Sequence, residues 1–236
     1  MKALLAASRI SLVLFVLCGL LYPLALTAIG QLVLPFQANG SLERTDAGTV
    51  IGSRLIGQQW DGPEWFHARP SATTDTDASD PSKSVSAPYN AANSGGSNLG
   101  PTSKALLDRL LQDRKALQAA EPELLGQHLP SDMLTTSASG LDPDISPANA
   151  ALQVPRIARA RGLAADQILS LVETHVTGRT FRIFGEPRVN VLALNLALDQ
   201  ACGATNARCK TSSMLRSSQL GSLAQHVAPP MTRHGP

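Results

Sequence analysis

The sequence has little net charge and few aromatic side chains. Its 236 residues carry a formal net charge of +2 at pH 7, and aromatic residues make up 4% of the chain. A charge this small gives no reason to expect binding to nucleic acid. With so few aromatic side chains, a folded core has to be built from Leu, Val, Ile and Ala.

Cysteine is scarce and the common catalytic motifs are missing. The chain has three cysteines, no Cys-x-x-Cys pair and no histidine cluster with metal-site spacing. His67, His128 and His175 are scattered, without a G-x-S-x-G or H-E-x-x-H motif nearby. An oxidising compartment would permit a Cys202–Cys209 disulfide, although nothing else in the chain depends on one. We therefore expect neither a catalytic site nor a metal site.

Charge is absent from Ile10 to Leu34, ISLVLFVLCGLLYPLALTAIGQLVL. At about 1.5 Å per residue this run exceeds the roughly 30 Å of a bilayer's hydrocarbon core, so it predicts a transmembrane helix. A cleavable signal peptide is the main alternative, because Lys2 and Arg9 precede the run. Such a peptide has an apolar region of about 7–15 residues that ends at a small-residue cleavage site. The longer run and the lack of an A-x-A site favour a retained span.

The charges around the span predict its orientation. Lys2 and Arg9 precede it, and the next charged residue is Glu43. Because positive charge is retained in the cytoplasm, the N-terminus should be cytoplasmic and the rest of the chain outside. The predicted fold is a single N-terminal transmembrane α-helix followed by a mixed α/β (α+β) extracytoplasmic domain. The segments are the cytoplasmic residues 1–9, the transmembrane helix 10–34, the extracytoplasmic domain 35–199 and a disordered extension 200–236.

One stripe of the predicted membrane helix contains small and polar residues. They recur at every fourth position, at Gly19, Pro23, Thr27 and Gln31. Contact with lipid stabilises none of these residues, whereas a neighbouring helix can pack closely on glycine and form hydrogen bonds with the glutamine side chain. We predict that the stripe faces a partner helix. The alternative is that Gly and Pro are simply frequent in membrane helices.

The apolar pattern of the domain predicts several helices. One of them begins at Gly100-Pro101 and reaches about Ala120, and its leucines lie on a single face that we expect in the core. These leucines are Leu106, Leu107, Leu110, Leu111 and Leu117. A second helix is expected at 148–161, where Pro155 should kink or break it. A third helix is expected at 164–176, with Gly178 as its C-cap, and a strand at 179–184. The segment 187–199 is expected to form a helix in preference to a strand.

Two polar segments, 69–97 and 130–146, interrupt these elements, and the first has almost no large apolar residue. The first, 69–97, has a disordered composition, but its Arg-Pro-Ser, Tyr-Asn and Gly-Gly groups are more typical of an ordered functional loop. The glycines after Asn93 are spaced as in a phosphate-binding loop, yet Pro101 replaces the lysine, which excludes an ordinary P-loop. Such a loop either caps the following helix or cradles an anion or a carbonyl group. The candidate contact residues of the two segments are Ser94, Gly95, Gly96, Ser97 and Asn98, and Ser137, Ser139, Gly140 and Asp142.

A set of ordered motifs resembles one known family. The motifs are Tyr22-Pro23-Leu24 with Thr27 and Gln31, Ala38 to Leu42, Arg69 to Ala72, Tyr89-Asn90, Ser94 to Thr102, Thr136 to Pro143, Ile145-Ser146, Arg156 to Arg161, Gly185 to Leu192 and Leu194 to Asp199. Together they look like the C subunit of the Kdp-type potassium-transporting P-type ATPase. Two features depart from that family: Asp144 stands where it usually has His, and Pro155 interrupts the arginine-containing helix.

The resemblance implies an accessory subunit of a complex in the bacterial inner membrane. Its implied partners are the lipid bilayer, a channel-like subunit that selects potassium and a P-type pump subunit that hydrolyses ATP. Potassium is then the transported ion, and ATP is implied by resemblance only, because the family is described as raising the pump subunit's ATP affinity. The competing hypotheses are a nucleotide-binding regulator in which Gly95, Gly96 and Ser97 face ATP, and a secreted or membrane-anchored binding module unrelated to ATP.

Overall fold

The computed structural model describes residues 1–45 and 47–205 of the chain. It divides into two compact units, one from Met1 to Leu55 and one that begins at Ile56. Cys209 and the part of the predicted extension after residue 205 lie outside the described residues. The Cys202–Cys209 disulfide that the sequence permits involves Cys209, so it also lies outside the described residues.

The first unit begins with a continuous apolar helix. It comprises α1 (Lys2–Leu14), a π-helical segment (Phe15–Leu21) and α2 (Tyr22–Val33). The 32 residues from Lys2 to Val33 are long and apolar enough to cross a membrane. The predicted N-terminal membrane helix is confirmed in these terms, and it starts earlier than Ile10 because the preceding residues are also helical.

The π-helical segment lies directly before Pro23. Proline lacks a backbone N–H, and its ring collides with the carbonyl four residues earlier, which here belongs to Gly19. In membrane helices, local π-helical turns give the freed backbone groups new partners. We attribute Phe15–Leu21 to this adjustment.

A short hairpin completes the first unit. After α3 (Pro35–Ala38), the chain turns at Asn39-Gly40, with Gly40 at φ +83°. Strands β1 (Leu42–Arg44) and β2 (Val50–Ser53) then pair antiparallel, with a register shift between Glu43 and Arg44. Arg54 forms an ion pair with Glu43 and stacks over the Phe36 ring at 5.7 Å.

The second unit is built on a small antiparallel sheet covered by helices. Strands β5 (Asp144–Ile145), β6 (Val176–Thr177) and β7 (Arg188–Asn190) have the order β5-β7-β6. Ile145 and Val176 both pair with Val189. The hydrophobic core contains Phe66, Ile145, Ala150, Val154, Ile157, Ile168, Val172, Val189, Val191, Leu194 and Leu198. The mixed helix and strand content confirms the predicted α+β composition.

Helix α5 (Pro147–Arg161) confirms the helix predicted at 148–161 and is capped at both ends. The Ser146 hydroxyl accepts a hydrogen bond from the Asn149 N–H at 3.1 Å, and Gly162 ends the helix in the left-handed conformation. The prediction that Pro155 breaks this helix is wrong. Pro155 lies on the exposed face, so its ring points to solvent while the opposite face holds the helix against the core.

The prediction for the next elements is partly wrong. Helix α6 (Ala165–Thr174) ends at His175, so Gly178 is not its C-cap. The segment 179–184 is a turn closed by one Thr180–Phe184 bridge, and it is not a strand. Residues 188–190 of the predicted 187–199 helix form strand β7, so that part of the prediction is wrong. From Val191 onward, helix α7 (Val191–Thr205) confirms the preference for helix over strand and continues past the predicted boundary at Asp199.

Helix α4 (Lys104–Ala120) forms close to its predicted bounds, but its leucine face is not in the core. None of its residues, all of which the structure describes, is buried. Leu107 is 57% exposed and Leu111 is 47% exposed. The prediction of a core-facing leucine stripe is therefore wrong, because periodicity defines a face without supplying a surface to cover it.

The polar segment 69–97 is ordered by hydrogen bonds. It contains the antiparallel hairpin β3 (Thr74–Thr76) and β4 (Ser84–Ser86). Asp77 and Asp80 each accept bonds from the backbone and hydroxyl of the serine two residues later. These local bonds stabilise the hairpin turn where large apolar residues are missing.

Candidate functional site

The two loops predicted as contact surfaces lie against each other. The Gly95 N–H donates to the Ser139 carbonyl oxygen at 2.9 Å, and the Ser94 hydroxyl donates to the same oxygen at 3.0 Å. The Thr136 hydroxyl lies 3.5 Å from that of Ser97. Residues 94–98 and 137–142, which we call the paired loops, therefore form one surface.

Two glycines allow the close approach of the paired loops. A Cβ on Gly96 would lie 2.9 Å from the Ala138 carbonyl oxygen, and one on Gly140 would lie 2.6 Å from the Gly95 carbonyl oxygen. Gly140 also has φ +66°, which disfavours other residues. Gly95 differs, because an added Cβ there meets nothing within 4 Å among the described residues. Gly95 is therefore open toward the surface.

The segment that begins with Arg-Pro-Ser forms hydrogen bonds that hold the paired loops in place. The Ser71 hydroxyl donates to the Gly140 carbonyl oxygen at 2.8 Å and accepts from the Tyr89 N–H at 3.0 Å. Buried Thr73 donates to the Ala87 carbonyl oxygen at 2.6 Å. The polar groups that marked this segment in the sequence thus hold backbone in place.

A half-buried ion pair fixes the end of the second loop. An Arg69 Nη atom lies 2.9 Å from an Asp142 carboxylate oxygen, and the other Asp142 oxygen accepts the Asp144 N–H at 3.1 Å. The Tyr89 hydroxyl donates to the Arg69 carbonyl oxygen. Burial and then the negative charge of Asp142 raise the pKa of Tyr89 to about 12, against the opposing effect of Arg69. Tyr89 therefore stays a neutral hydrogen-bond donor.

Sequence reasoning missed a set of buried side chains that bind backbone groups. Gln153 on α5 accepts the His67 N–H at 2.7 Å and donates to the His67 carbonyl at 3.0 Å. Asn195 on α7 makes the same pair of bonds to Phe66, at 2.9 and 3.0 Å. Each amide side chain thus forms the pair of hydrogen bonds with the backbone that a neighbouring strand would otherwise form. The sequence signal for Gln153 and for Asn195 was a polar residue among the apolar residues of a helix.

Two buried arginines hold the same segment. Arg156 donates to the Pro63 and Trp65 carbonyl oxygens at 2.7 and 2.9 Å, and Arg161 donates to the Glu64 carbonyl oxygen at 2.7 Å. Arg156 also pairs with buried Glu121 at 3.0 Å. Burial raises the pKa of Glu121, and the charge of Arg156 opposes that effect. These arginines, which belong to the Arg156–Arg161 motif of the sequence, therefore hold the backbone of residues 63–65 in place.

The residues of the paired loops suit a carbonyl ligand better than a triphosphate. Neither loop contains Lys or Arg, and the nearby Arg69 is paired with the Asp142 carboxylate. Among the described residues, the backbone N–H groups of Gly96, Ser97 and Asn98 have no hydrogen-bond partner. Such amides can receive an acceptor oxygen, but a nucleotide normally requires cations beside its phosphates. We therefore expect an acceptor oxygen at these amides in preference to a triphosphate.

The structure changes one part of the prediction for the small and polar stripe on the membrane helix. The Gln31 side chain accepts a hydrogen bond from the Asn39 amide at 3.0 Å. Its polar group is therefore satisfied within the chain, which removes one reason to require a partner helix at that position. The partner-facing role of Gly19, Pro23 and Thr27 stays a prediction.

Comparison with known proteins assigns the chain to a family. The family model described as K+-transporting ATPase, c chain (KdpC), matches residues 4–200. The chain belongs to the KdpC family. Curated relatives named potassium-transporting ATPase KdpC subunit are 58% identical in Methylobacterium nodulans, over 79% of this chain and 91% of the relative, and 58% identical in Bradyrhizobium diazoefficiens, over 80% and 92%. A third, from Rhodopseudomonas palustris, is 55% identical over 84% and 97%.

Membership of the KdpC family confirms the central functional prediction. The chain is an accessory subunit of a K+-transporting ATPase complex, and it is membrane-associated through its one candidate spanning helix within the described residues. The alternative of a binding module unrelated to ATP-driven transport finds no support. The paired loops correspond to Ser94–Thr102 and Thr136–Pro143, which are among the motifs that suggested the family.

Proposed function

We propose that the chain is a single-pass subunit of the bacterial inner membrane, with its N-terminus in the cytoplasm and its domain outside. Lys2 and Arg9 support this orientation, because they precede the apolar helix and no further charge occurs until Glu43. The retained helix, as opposed to a cleaved signal peptide, is part of the same proposal.

We further propose that the chain joins a channel-like potassium-binding subunit to a P-type ATP-hydrolysing subunit and stabilises their complex. The observation that carries this proposal is the match to the c chain of a K+-transporting ATPase over residues 4–200. The paired loops are the proposed contact surface, because Gly95 is open and the amides of Gly96 to Asn98 are available to acceptor groups.

An effect on the pump subunit's affinity for ATP would then be indirect. The paired loops lack cationic side chains, and the proposed orientation places them across the membrane from ATP. The chain would act by favouring one arrangement of the membrane subunits, which changes ligand affinity when the two arrangements bind ATP differently.

Substitution of Gly95 tests the contact surface. In Gly95→Gln the new side chain enters open space, so the domain should fold normally. We expect less chain to co-purify with the other subunits and lower potassium-stimulated ATPase activity. Ala92→Gln, at an exposed position just before the loop, is the matched control and should leave both unchanged. Full assembly and activity in Gly95→Gln would contradict this surface.

Protease digestion of intact spheroplasts tests the orientation. A domain outside the cytoplasm should be cleaved by added protease, and a tag before Lys2 should be protected until the membrane is opened. The reverse pattern would contradict the orientation while leaving membership of the complex intact.

A further inference from the structure

The turn between β6 and β7 has a well-defined backbone. We call residues Thr180–Phe184 the aromatic turn. The Thr180 N–H donates to the Phe184 carbonyl oxygen at 2.9 Å, and the Phe184 N–H donates back to Thr180 at 3.0 Å. The Ile183 N–H also donates to the Thr180 carbonyl oxygen, at 3.1 Å. Its conformation is therefore fixed by hydrogen bonds within the turn.

The two residues at the tip adopt a costly conformation. Phe181 has φ +53° and Arg182 has φ +62°, the left-handed region that favours Gly and Asn. Turns of this shape ordinarily carry Asn-Gly or Gly-Gly. A large aromatic and an arginine at these positions are unfavourable for the isolated chain, so their presence requires a separate reason.

The aromatic turn exposes its large apolar side chains. Phe181 is 85% exposed, Ile183 is 68% exposed and Phe184 is 66% exposed. None of the three belongs to the hydrophobic core. Contiguous exposed apolar residues of this size are typical of interaction sites.

Arginines flank these apolar side chains in the sequence. Arg179 pairs with Glu186 at 2.6 Å, and Arg188 pairs with Asp144 at 3.0 Å. Exposed Arg182, at the tip, has no ion pair among the described residues. The partner surface should therefore place a carboxylate where Arg182 arrives.

A protein pocket fits these features better than a lipid surface. Aromatic residues and arginine are enriched at protein interfaces and among their strongest contacts, whereas lysine is depleted, and Thr180–Phe184 contains no lysine. A fixed, costly backbone is useful only if the partner also has a fixed shape, because pre-organisation lowers the cost of binding. Fluid lipid has no such shape.

We propose that the aromatic turn inserts into an apolar pocket, rimmed by at least one carboxylate, on another subunit of the transport complex. This inference rests on the proposed assembly and adds a second contact, distinct in sequence from the paired loops. Phe181 and Ile183 fill the pocket, and Arg182 pairs with the carboxylate.

Photo-crosslinking in the assembled complex tests this contact. The photoreactive amino acid p-benzoylphenylalanine replaces Phe181 in the full chain, and Leu125, which is 64% exposed on another loop, is replaced as the control. Irradiated membranes are analysed by mass spectrometry. We expect an adduct between position 181 and another subunit, at a site beside Asp or Glu, and none from position 125. Co-purification of the unirradiated chain tests assembly separately, so loss of assembly and loss of this contact are distinguishable.

Other crosslinking products would overturn the proposal. Adducts to lipid would assign the turn to the bilayer, adducts to residues 206–236 would assign it to the chain's own C-terminal segment, and adducts to a second copy would indicate self-association. No adduct in an assembled complex would show that the turn faces solvent.

Charge substitution at Arg182 provides an independent measurement. Arg182→Glu should weaken subunit association about tenfold or more, because like charges at an interface are strongly unfavourable. Arg182→Lys should retain most of it. Arg114→Glu, at an exposed position on α4, is the control and should have no effect. Equal association in Arg182→Glu and the control would also overturn the proposal.

Discussion

Helices α4 and α5 have similar lengths and opposite environments. Helix α5 buries seven residues, including three that are polar or charged besides Arg156, whereas α4 buries none. The leucine-rich helix is thus the exposed one, and the helix with an internal proline is central. The comparison shows that burial depends on which surface an element meets, and composition alone does not determine it.

The largest expected effect comes from the ion pair that joins the end of α4 to α5. Arg156→Ala removes bonds to Pro63 and Trp65 and leaves Glu121 buried without its cation. Breaking a buried pair in this way costs about 3–5 kcal/mol of unfolding free energy. Urea unfolding of the full chain in detergent measures it, with Arg114→Ala on α4 as the control. Equal stability of the two variants would contradict the assigned role of Arg156.

Apolar truncation compares the two helices directly. Ile157 on α5 is fully buried, so Ile157→Ala should cost about 2–5 kcal/mol. Leu107→Ala on α4 removes a similar side chain from an exposed position and should change stability by less than about 0.5 kcal/mol. The same unfolding measurement distinguishes them. A large loss in Leu107→Ala would show that α4 is covered within the chain after all.

The smallest expected effect is a pH dependence of the unfolding free energy that comes from His67, a residue bound to α5. Burial, followed by the positive charge of Arg156, lowers the pKa of His67 below 6.5, and a hydrogen bond to the Gly62 carbonyl opposes this shift. As pH falls below about 6.5, the unfolded chain binds a proton that the folded chain does not, so stability should decline. Unfolding curves between neutral and mildly acidic pH measure the slope.

His67→Gln provides the matched control for the titration. Glutamine keeps a polar side chain at this position but does not titrate, so the decline in stability below about pH 6.5 should become shallower. An unchanged slope would assign the pH dependence to other groups.

Local features of the sequence were sufficient to predict where α5 forms, but Gly178 was wrongly predicted as the C-cap of α6. Ser146 and Gly162 both act as caps because capping depends on residues within one turn of the helix. The bounds of α4 were also predicted closely. Its exposure could not be predicted, because that depends on distant parts of the fold.

The candidate site was predicted in parts. Both paired loops were identified from their composition, but their contact through Gly95 and Ser139 joins residues far apart in sequence. The buried arginines were visible as a cluster, while their acceptors are backbone carbonyl groups that no side-chain pattern reveals. The aromatic turn was predicted as a strand, because Phe and Ile favour strands and the positive φ of Phe181 has no sequence signal.

The π-helical segment in the membrane helix affects how that helix can meet a neighbour. Each i→i+5 turn contains an extra residue, so angular positions before Phe15 and after Leu21 do not follow one helical wheel. Gly19 lies inside this segment, whereas Pro23 and Thr27 lie in α2. Although the three residues recur at every fourth position, they therefore do not all lie on the same side of the helix. A straight neighbouring helix would therefore follow either the half before Phe15 or the half after Leu21, and a docking helix that touches both halves must itself bend.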